Sequence, residues 1–264
     1  MKKYWRVFWR IIKMSLMRQF LYRENVWLGL WGTLVYMLVQ ILFIKYLFGA
    51  GRVDYIGGYD IYQFYLMLAF GQVIITFVFW FVIESSYKAT MQIYKGKLDY
   101  FFLRPMNIRF LMMHQEISGI QSLMTVAYLV IIFYYLFSRY DFGLTGWDWF
   151  LIVILLLVSM FVHLILHWLG VLINFYWPNF WGVWQFMGSI SDISRNPKQV
   201  YPPFWQTILT YVIPIFLINN PIYYILDHSF SWEFGAQIGL IVVILLMIFM
   251  ILWKDGLKRY SSAA

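Results

Sequence analysis

The sequence contains no cysteine and has little charge. Only 12% of its 264 residues are charged, whereas 62% are hydrophobic and the mean hydropathy is +0.69. Average soluble domains are about 25% charged and roughly 45–50% apolar. The absence of cysteine excludes disulfides and thiolate metal sites. Because a globule of this size has too little interior to bury the apolar excess, the composition predicts an integral membrane protein.

Recognisable catalytic and nucleotide-binding motifs are also missing. The chain has no G-x-x-x-x-G-K-[ST] sequence, the usual loop that cradles nucleotide phosphates. Asp227, His228 and Ser229 are the three residue types of a hydrolytic triad, but adjacent residues rarely adopt triad geometry. We interpret them as an external turn. The sequence therefore predicts no catalytic residues, no metal site and no cofactor bound by this chain.

Six apolar runs are long enough to cross a bilayer, which takes about 20 residues of helix. They cover residues 26–48, 61–83, 117–137, 149–173, 175–193 and 234–253. The apolar segment 204–218 is short and contains Pro214, so we predict an external re-entrant hairpin there. A seventh crossing is the alternative. The predicted fold is all-α, with a six-helix transmembrane domain over residues 26–253.

Basic residues indicate the orientation of these spans. Fifteen of the twenty Lys and Arg residues precede span one, follow span six or lie between spans two and three, and four lie on the opposite side. Loops rich in Lys and Arg lie on the cytoplasmic side of the membrane, so both termini are predicted to be cytoplasmic. Residues 254–264 are predicted to form a cytoplasmic tail. Topology and attraction to anionic lipid explain the net charge of +8 without nucleic acid.

Residues 1–25 combine basic and apolar side chains at helical spacing. This pattern predicts an amphipathic helix in the headgroup plane rather than a cleavable signal. An ordinary basic cytoplasmic tail is the alternative.

The segment 84–115 is the longest predicted cytoplasmic connection. Residues 86–95 have helical character, Gly96 is expected to end that helix, and aromatic and basic residues follow. Exposed clusters of this kind usually mark interaction sites. We predict a short coupling helix that docks on a cytoplasmic partner, the alternative being a second interfacial helix that touches only lipid.

The same segment carries a family resemblance. Residues 96–107, GKLDYFFLRPMN, resemble the cytoplasmic signature of ABC-2 type transporter permeases, roughly G-x-L-D-x-x-L-x-R-P-x-N. Phe102 stands where the family more often has leucine, and span five is unusually aromatic. Further segments resemble the family in the same order along the chain: Ile193–Pro197, Tyr201–Pro202, Tyr211–Pro214, Asn220–Pro221 and Gly256–Ser262.

The resemblance implies a six-span membrane subunit of a bacterial ABC exporter, located in the cell membrane. Its expected partners are two copies of a separate ATPase, which would bind ATP and Mg, and a second ABC-2 permease, expected to be a non-identical homologue, although the sequence leaves a homodimer open. Membrane lipids are the remaining partner. The residues expected to couple the chain to the ATPase are Tyr87, Lys88, Tyr94, Lys95, Gly96, Asp99, Arg104 and Pro105.

Several polar or aromatic residues fall inside predicted spans, where polar groups are costly and tend to face protein or water. The candidate substrate-path residues are Gln40, Gln72, His163, His167, Trp184 and Gln185. Interhelical hydrogen bonding and packing are the alternative roles. His163 and His167 have a metal-binding spacing, but the zinc motif H-E-x-x-H requires glutamate at position 164, which is leucine.

Three classes of function follow. The first is a permease that exports an unidentified amphipathic or hydrophobic substrate by alternating access. The second is a membrane anchor or assembly subunit without a transport path. The third, an intramembrane transferase, is the least favoured because it needs convergent titratable groups, for which the only candidates are Lys45, His163, His167, Glu84 and Glu116.

Overall fold

The computed structural model describes residues 2–21, 23–49, 54–117, 120–177 and 182–260, and over these ranges the chain is helical without a β-sheet. The helices are α1 (Lys2–Leu21), α2 (Arg23–Gly49), α3 (Ile61–Val78), α4 (Glu84–Tyr94), α5 (Asp99–Phe102), α6 (Ile108–Met113), α7 (Ile120–Arg139), α8 (Gly146–Ile173), α9 (Gly182–Ser194), α10 (Pro203–Thr207), α11 (Asn220–Leu226) and α12 (Trp232–Arg259). The all-α prediction is confirmed.

Capping side chains set the starts of the long helices. The Asp60 carboxylate accepts hydrogen bonds from the amides of Tyr62 and Gln63, while the Gln63 side chain accepts one from the Asp60 amide. Thr145 and Asp148 form the same reciprocal capping box at the start of α8. Both arrangements satisfy amides that have no partner within the helix.

Four described helices are long and apolar enough to cross a membrane: Val26–Gly49, Ile61–Tyr94, Gly146–Ile173 and Trp232–Arg259. Helix α7 has 20 residues, and α9 has 13 described residues that start directly after a stretch the structure does not describe. The structure thus supports a multi-pass membrane protein. The count of six spans and the domain boundaries stay predictions.

The second candidate span is longer than a bilayer crossing requires. A π-helical turn, Phe79–Ile83, joins α3 to α4, so that one helical rod runs from Ile61 to Tyr94. Its 34 residues extend roughly 50 Å, about 20 Å more than the hydrocarbon thickness. The N-terminal part of the predicted coupling segment therefore continues a candidate membrane span.

The centre of the bundle is formed by α3 and α8. Leu66 and Ile74 of α3 and Val162 and Leu172 of α8 are completely buried. By contrast, α2 and α12 lie at the periphery and expose most of their apolar side chains. Such an apolar outer surface is what a bilayer covers.

The segment between α9 and α12 is a folded hairpin rather than a single helix. After α10, a π-helical turn (Ile208–Val212) ends near Pro214, and a 3-10 turn (Ile215–Leu217) leads into α11. From Ile215 to Leu226 nearly every side chain is buried. A seventh helical span is not formed, while the depth of this hairpin in the membrane stays a prediction.

Polar contacts hold the hairpin to the end of α9. The Tyr223 hydroxyl donates to the Arg195 carbonyl at 2.6 Å, and Asn220 accepts a hydrogen bond from the Lys198 amide at 2.7 Å. The side-chain NH2 group of the buried Asn219 donates to the Ser194 hydroxyl at 3.3 Å. The Asn-Pro and Ile193–Pro197 segments, which carried the family resemblance, therefore meet in space.

Candidate functional site

The elbow, defined as residues 95–117, connects α4 with α7. At the end of α4 the amides of Gly96 and Lys97 donate to the carbonyls of Ile93 and Gln92, at 3.1 and 2.8 Å. This pair of bonds is a Schellman motif, which needs a residue in the left-handed region. Gly96 supplies it with φ of 59°, so the sequence-based prediction that Gly96 ends the helix is confirmed.

An exposed patch of aromatic, apolar and basic side chains lies on this elbow and the adjoining turn of α4. Its exposed members are Tyr94, Lys95, Lys97, Asp99, Tyr100, Phe102, Leu103, Arg104 and Pro105. The Arg104 guanidinium carbon lies 3.9 Å from the Tyr100 ring centroid. Leu98 and Phe101 are buried beneath the patch and attach it to the bundle. We call this surface the coupling patch.

The C-terminal end of α12 supports the coupling patch. The Leu98 amide donates a hydrogen bond to the Tyr260 hydroxyl at 2.8 Å, and that hydroxyl lies 3.5 Å from the Asp99 carboxylate. The Phe102 and Tyr260 rings are 6.1 Å apart. The Tyr260 hydroxyl thus contacts Leu98 and Asp99, which lie 162 and 161 residues earlier in the sequence.

Of the eight predicted coupling residues, Lys88 has a different environment. Tyr87 is exposed on α4, and Tyr94, Lys95, Asp99, Arg104 and Pro105 belong to the coupling patch, with Gly96 at its turn. Lys88 of α4 is partly exposed and forms an ion pair with the Glu116 carboxylate of the elbow. It therefore has an acidic partner within the chain.

Glu116 connects three segments. Besides its pair with Lys88 of α4, its carboxylate lies 3.4 Å from the Arg18 guanidinium of α1, and its side chain is 17% exposed. Its backbone is also held, because the Ser85 hydroxyl donates to the Glu116 carbonyl at 2.8 Å and accepts from its amide. A single carboxylate therefore joins two cations from different helices.

Helix α1 packs along the elbow through one of its faces. The Tyr4 hydroxyl accepts a hydrogen bond from the Asn107 amide, and the Ser15 hydroxyl accepts one from the Ile117 amide, both at 3.2 Å. Between these contacts the Phe8 ring lies 5.4 Å from the His114 ring. The predicted N-terminal helix is thus attached to the coupling segment along most of its length.

His114 is enclosed by aromatic rings at this contact. The Phe110 ring stacks on it with centroids 4.7 Å apart, and the Phe110 carbonyl is 3.0 Å from its Nδ1 atom. Burial lowers the pKa of His114 below the usual histidine range. The ring is therefore neutral at pH 7 and serves packing rather than charge.

Two predicted substrate-path residues line the same cleft between helices. Gln40 and Gln72 line a cleft of about 40 Å³ between α2, α3 and α7, together with Met37, Ile41, Tyr65, Leu68, Ala69, Leu129 and Ile132. The Tyr65 hydroxyl closes one side by donating to the Ile41 carbonyl at 3.0 Å. This volume holds a water molecule but not a drug-sized ligand, which needs about 300 Å³ or more.

A polar connection continues from this cleft towards α9. The Gln40 side chain donates to the Tyr36 hydroxyl at 2.7 Å, and the Arg195 guanidinium donates to the same hydroxyl. The Arg195 guanidinium carbon also lies 5.5 Å from the Tyr36 ring centroid. Gln185, near the start of α9, is exposed. The side chain of Trp184 lies outside the described residues.

His163 and His167 are separated from this cleft in α8. Both are buried, and their ring centroids are 4.8 Å apart. One turn earlier, the Ser159 hydroxyl donates to the Leu217 carbonyl of the hairpin at 3.4 Å. Within the described part of the chain no cluster of three or more potential metal ligands occurs. The pair lies where α8 meets the hairpin.

Reasoning from the sequence assigned no role in these sites to four residues that organise them: Tyr36, Glu116, Arg195 and Tyr260. Glu116 carried a signal, since it is an acidic residue next to a strongly basic segment at a predicted membrane boundary. Tyr260 lay within a segment that resembled the family but had no assigned role. Tyr36 and Arg195 are far apart in sequence, and nothing local indicates their contact.

An all-helical bundle with four described helices long and apolar enough to cross a membrane is typical of a multi-pass membrane protein. The family model described as "ABC-2 family transporter protein" matches residues 34–264. The chain therefore belongs to the ABC-2 family of transporters, whose members are transmembrane permease components and not themselves the ATPase, and membership implies an ABC ATPase as partner. No curated protein and no solved structure shows significant similarity to the chain.

Proposed function

We propose that the chain is the permease subunit of an ABC exporter that moves an amphipathic or hydrophobic substrate outward from the cytoplasm or inner leaflet. Two copies of a separate ATPase would bind ATP and Mg, and a second, non-identical ABC-2 permease would complete the membrane part in the bacterial cell membrane. Both termini and the elbow would face the cytoplasm. The observation that carries the proposal is the continuous rod from the coupling patch to the centre of the bundle.

The rod explains how force would reach the substrate path. The coupling patch follows the C-terminal end of α4, and α4 is joined to α3 in one helical rod, whose residues Gln72 and Tyr65 line the cleft. Closure of the ATPase dimer would push the patch, and the rod would transmit the displacement to α3. Such rigid-body movement is a common basis of two-state switching. The π-helical turn at Phe79–Ile83 is the natural place for the rod to bend.

Polar side chains on α9 support a path beside this cleft. Gln185, Ser189 and Asp192 are exposed at intervals of about one helical turn, on the helix that ends near Arg195. Polar groups exposed to hydrocarbon are costly. A water-filled path or the second permease, rather than lipid, would therefore face this side of α9.

Charge reversal in the coupling patch tests the proposal. We expect Lys95→Glu or Arg104→Glu to lower ATP-driven transport at least tenfold while the ATPase still hydrolyses ATP, because reversal replaces attraction at the docking surface with repulsion. Transport and ATP hydrolysis would be measured on the reconstituted complex. Arg139→Glu, at the end of α7 and predicted to be external, is the matched control and should leave both rates unchanged. Normal coupling in both patch variants would refute the assignment.

The small volume of the Gln40–Gln72 cleft favours a second candidate, a membrane anchor without a transport path. Single cysteines introduced at Gln40, Gln72 and Gln185 separate the two candidates, since the sequence has no cysteine of its own. A permease should show at least fivefold faster labelling by a membrane-impermeant thiol reagent at position 40 or 72 when the assembled complex turns over ATP. Leu240→Cys, on the exposed apolar face of α12, is the control. Absence of labelling at both positions with and without ATP supports the anchor.

A further inference from the structure

Helix α1 has a second face, opposite the one that contacts the elbow. Positions 4, 8, 15 and 19 contact the elbow segment, whereas Lys2, Arg6, Trp9 and Lys13 lie on a different row. At 3.6 residues per turn, the mean directions of the two rows differ by about 140°. The two rows therefore lie on opposite sides of the helix.

This second face, which we call the groove, is an open surface formed by α1 alone. Its lining residues are Lys2, Trp5, Arg6, Trp9, Arg10 and Lys13. The indoles are 5.6 Å apart in an edge-to-face arrangement, and Trp5 and Trp9 are 63% and 52% exposed. None of the four cations forms an ion pair with an acidic side chain that the structure describes. The groove thus presents unneutralised positive charge beside exposed indoles.

We propose that this groove binds the phosphate groups of anionic lipids in the inner leaflet, and that α1 thereby anchors the elbow to the membrane surface. Lys and Arg would contact the phosphates, and the two indoles would lie at the level of the headgroups and upper acyl chains, the depth that tryptophan prefers. The charge complementarity selects an anionic bilayer as the occupant. The binding step requires no transport activity, and its location at the inner leaflet rests on the proposed cytoplasmic side of the termini.

Attachment on both faces has a mechanical consequence. The face towards the elbow holds the Asn107 and Ile117 amides through Tyr4 and Ser15. Lipid on the opposite face would therefore fix the position of the segment from which the coupling patch projects. The membrane charge would in this way influence how firmly the coupling patch is presented to the ATPase.

The test compares lipid binding by two double variants of the chain, purified in mild detergent. Arg6→Gln/Arg10→Gln removes two cations from the groove, and Lys254→Gln/Lys258→Gln removes two from the predicted cytoplasmic end of α12. The probes are short-chain phosphatidylglycerol and phosphatidylcholine, with bound lipid counted by native mass spectrometry. A juxtamembrane cation contributes about a fivefold factor to anionic-lipid binding, so the groove variant should bind phosphatidylglycerol roughly thirtyfold more weakly.

The expected result is a loss confined to phosphatidylglycerol and to the groove variant. Arg6→Lys/Arg10→Lys, which keeps the charge, should bind within about threefold of the original chain and so exclude misfolding as the cause. Equal affinity for both lipids, or equal losses in the groove and α12 variants, would overturn the proposal. A groove that serves to bind an acidic protein would show equal affinity for both lipids. Competition by free inorganic phosphate at equal concentration would also overturn the proposal, because it would indicate a phosphate site rather than a lipid site.

Discussion

Replacing Glu116 by glutamine should loosen the attachment of α1 to the elbow and reduce transport at least tenfold. The neutral side chain leaves Arg18 of α1 and Lys88 of α4 as neighbouring cations without the carboxylate they share. Exposed ion pairs contribute about 0–1 kcal/mol, and breaking a buried pair costs about 3–5 kcal/mol. Because Glu116 is mostly buried and its partners are half-exposed, we expect a loss of about 2 kcal/mol in the free energy of unfolding.

Two measurements check this prediction, thermal unfolding of the purified chain and ATP-driven transport by the complex. Glu24→Gln is the matched control, since Glu24 is exposed in the first turn of α2. It should change stability by no more than about 0.5 kcal/mol, the usual range for a surface substitution.

A double-mutant cycle isolates the ion pair. Because Arg18 and Glu116 contact each other, Arg18→Gln combined with Glu116→Gln should cost clearly less than the sum of the two single changes. Strict additivity would show that the carboxylate acts on neither stability nor coupling through Arg18.

Replacing Gly256 by alanine should destabilise the chain by about 1–3 kcal/mol, although alanine favours helix. A Cβ atom at position 256 would lie 2.7 Å from Cδ2 and 3.0 Å from Cγ of the buried Phe175 ring. Adding a methyl group to such a contact forces off-rotamer side chains or backbone shifts of that cost. The turn after α8 limits relief, because the Phe175 amide donates to the Leu172 carbonyl at 3.1 Å.

Function should fall together with stability in this variant. Gly256 lies one turn before Tyr260, whose hydroxyl accepts the hydrogen bond from the Leu98 amide under the coupling patch. A displaced α12 end would loosen that support and weaken coupling of ATP hydrolysis to transport. The readouts are the unfolding midpoint and the transport-to-hydrolysis ratio.

The same helix offers the control for Gly256. No atom lies within 4 Å of a Cβ built at Gly239 of α12. Gly239→Ala should therefore be neutral or stabilise the chain by up to about 1 kcal/mol through helix propensity. If the two alanines behave alike, the close approach of α12 to Phe175 has no energetic importance.

The two changes act on the same segment from different sides. Glu116 joins the elbow to α1 and α4, while Gly256 allows α12 to support it through Tyr260. The coupling patch is thus held by three helices that are far apart in sequence. This arrangement explains why a short exposed segment keeps a defined shape.

The sequence alone determined the class of protein, because apolar runs of this length are usually buried in a lipid bilayer. The family resemblance seen in the sequence was confirmed over residues 34–264. The sequence also determined local features. Helix α4 ends at Gly96 because glycine adopts the left-handed backbone conformation readily. Lys95 and Arg104 are exposed because they are charged side chains in or next to a turn. Both effects depend only on residues nearby in the sequence.

Only the tertiary structure decided which polar groups meet. Lys88 was predicted to couple the chain to a partner, and the structure adds that it pairs with Glu116. Arg195 contacts Tyr36, 159 residues away. A charged side chain at a membrane boundary is compatible with solvent, a partner or an internal counterion, and local sequence does not distinguish them. The choice depends on how helices distant in the chain pack, which places one particular carboxylate or hydroxyl within hydrogen-bonding distance.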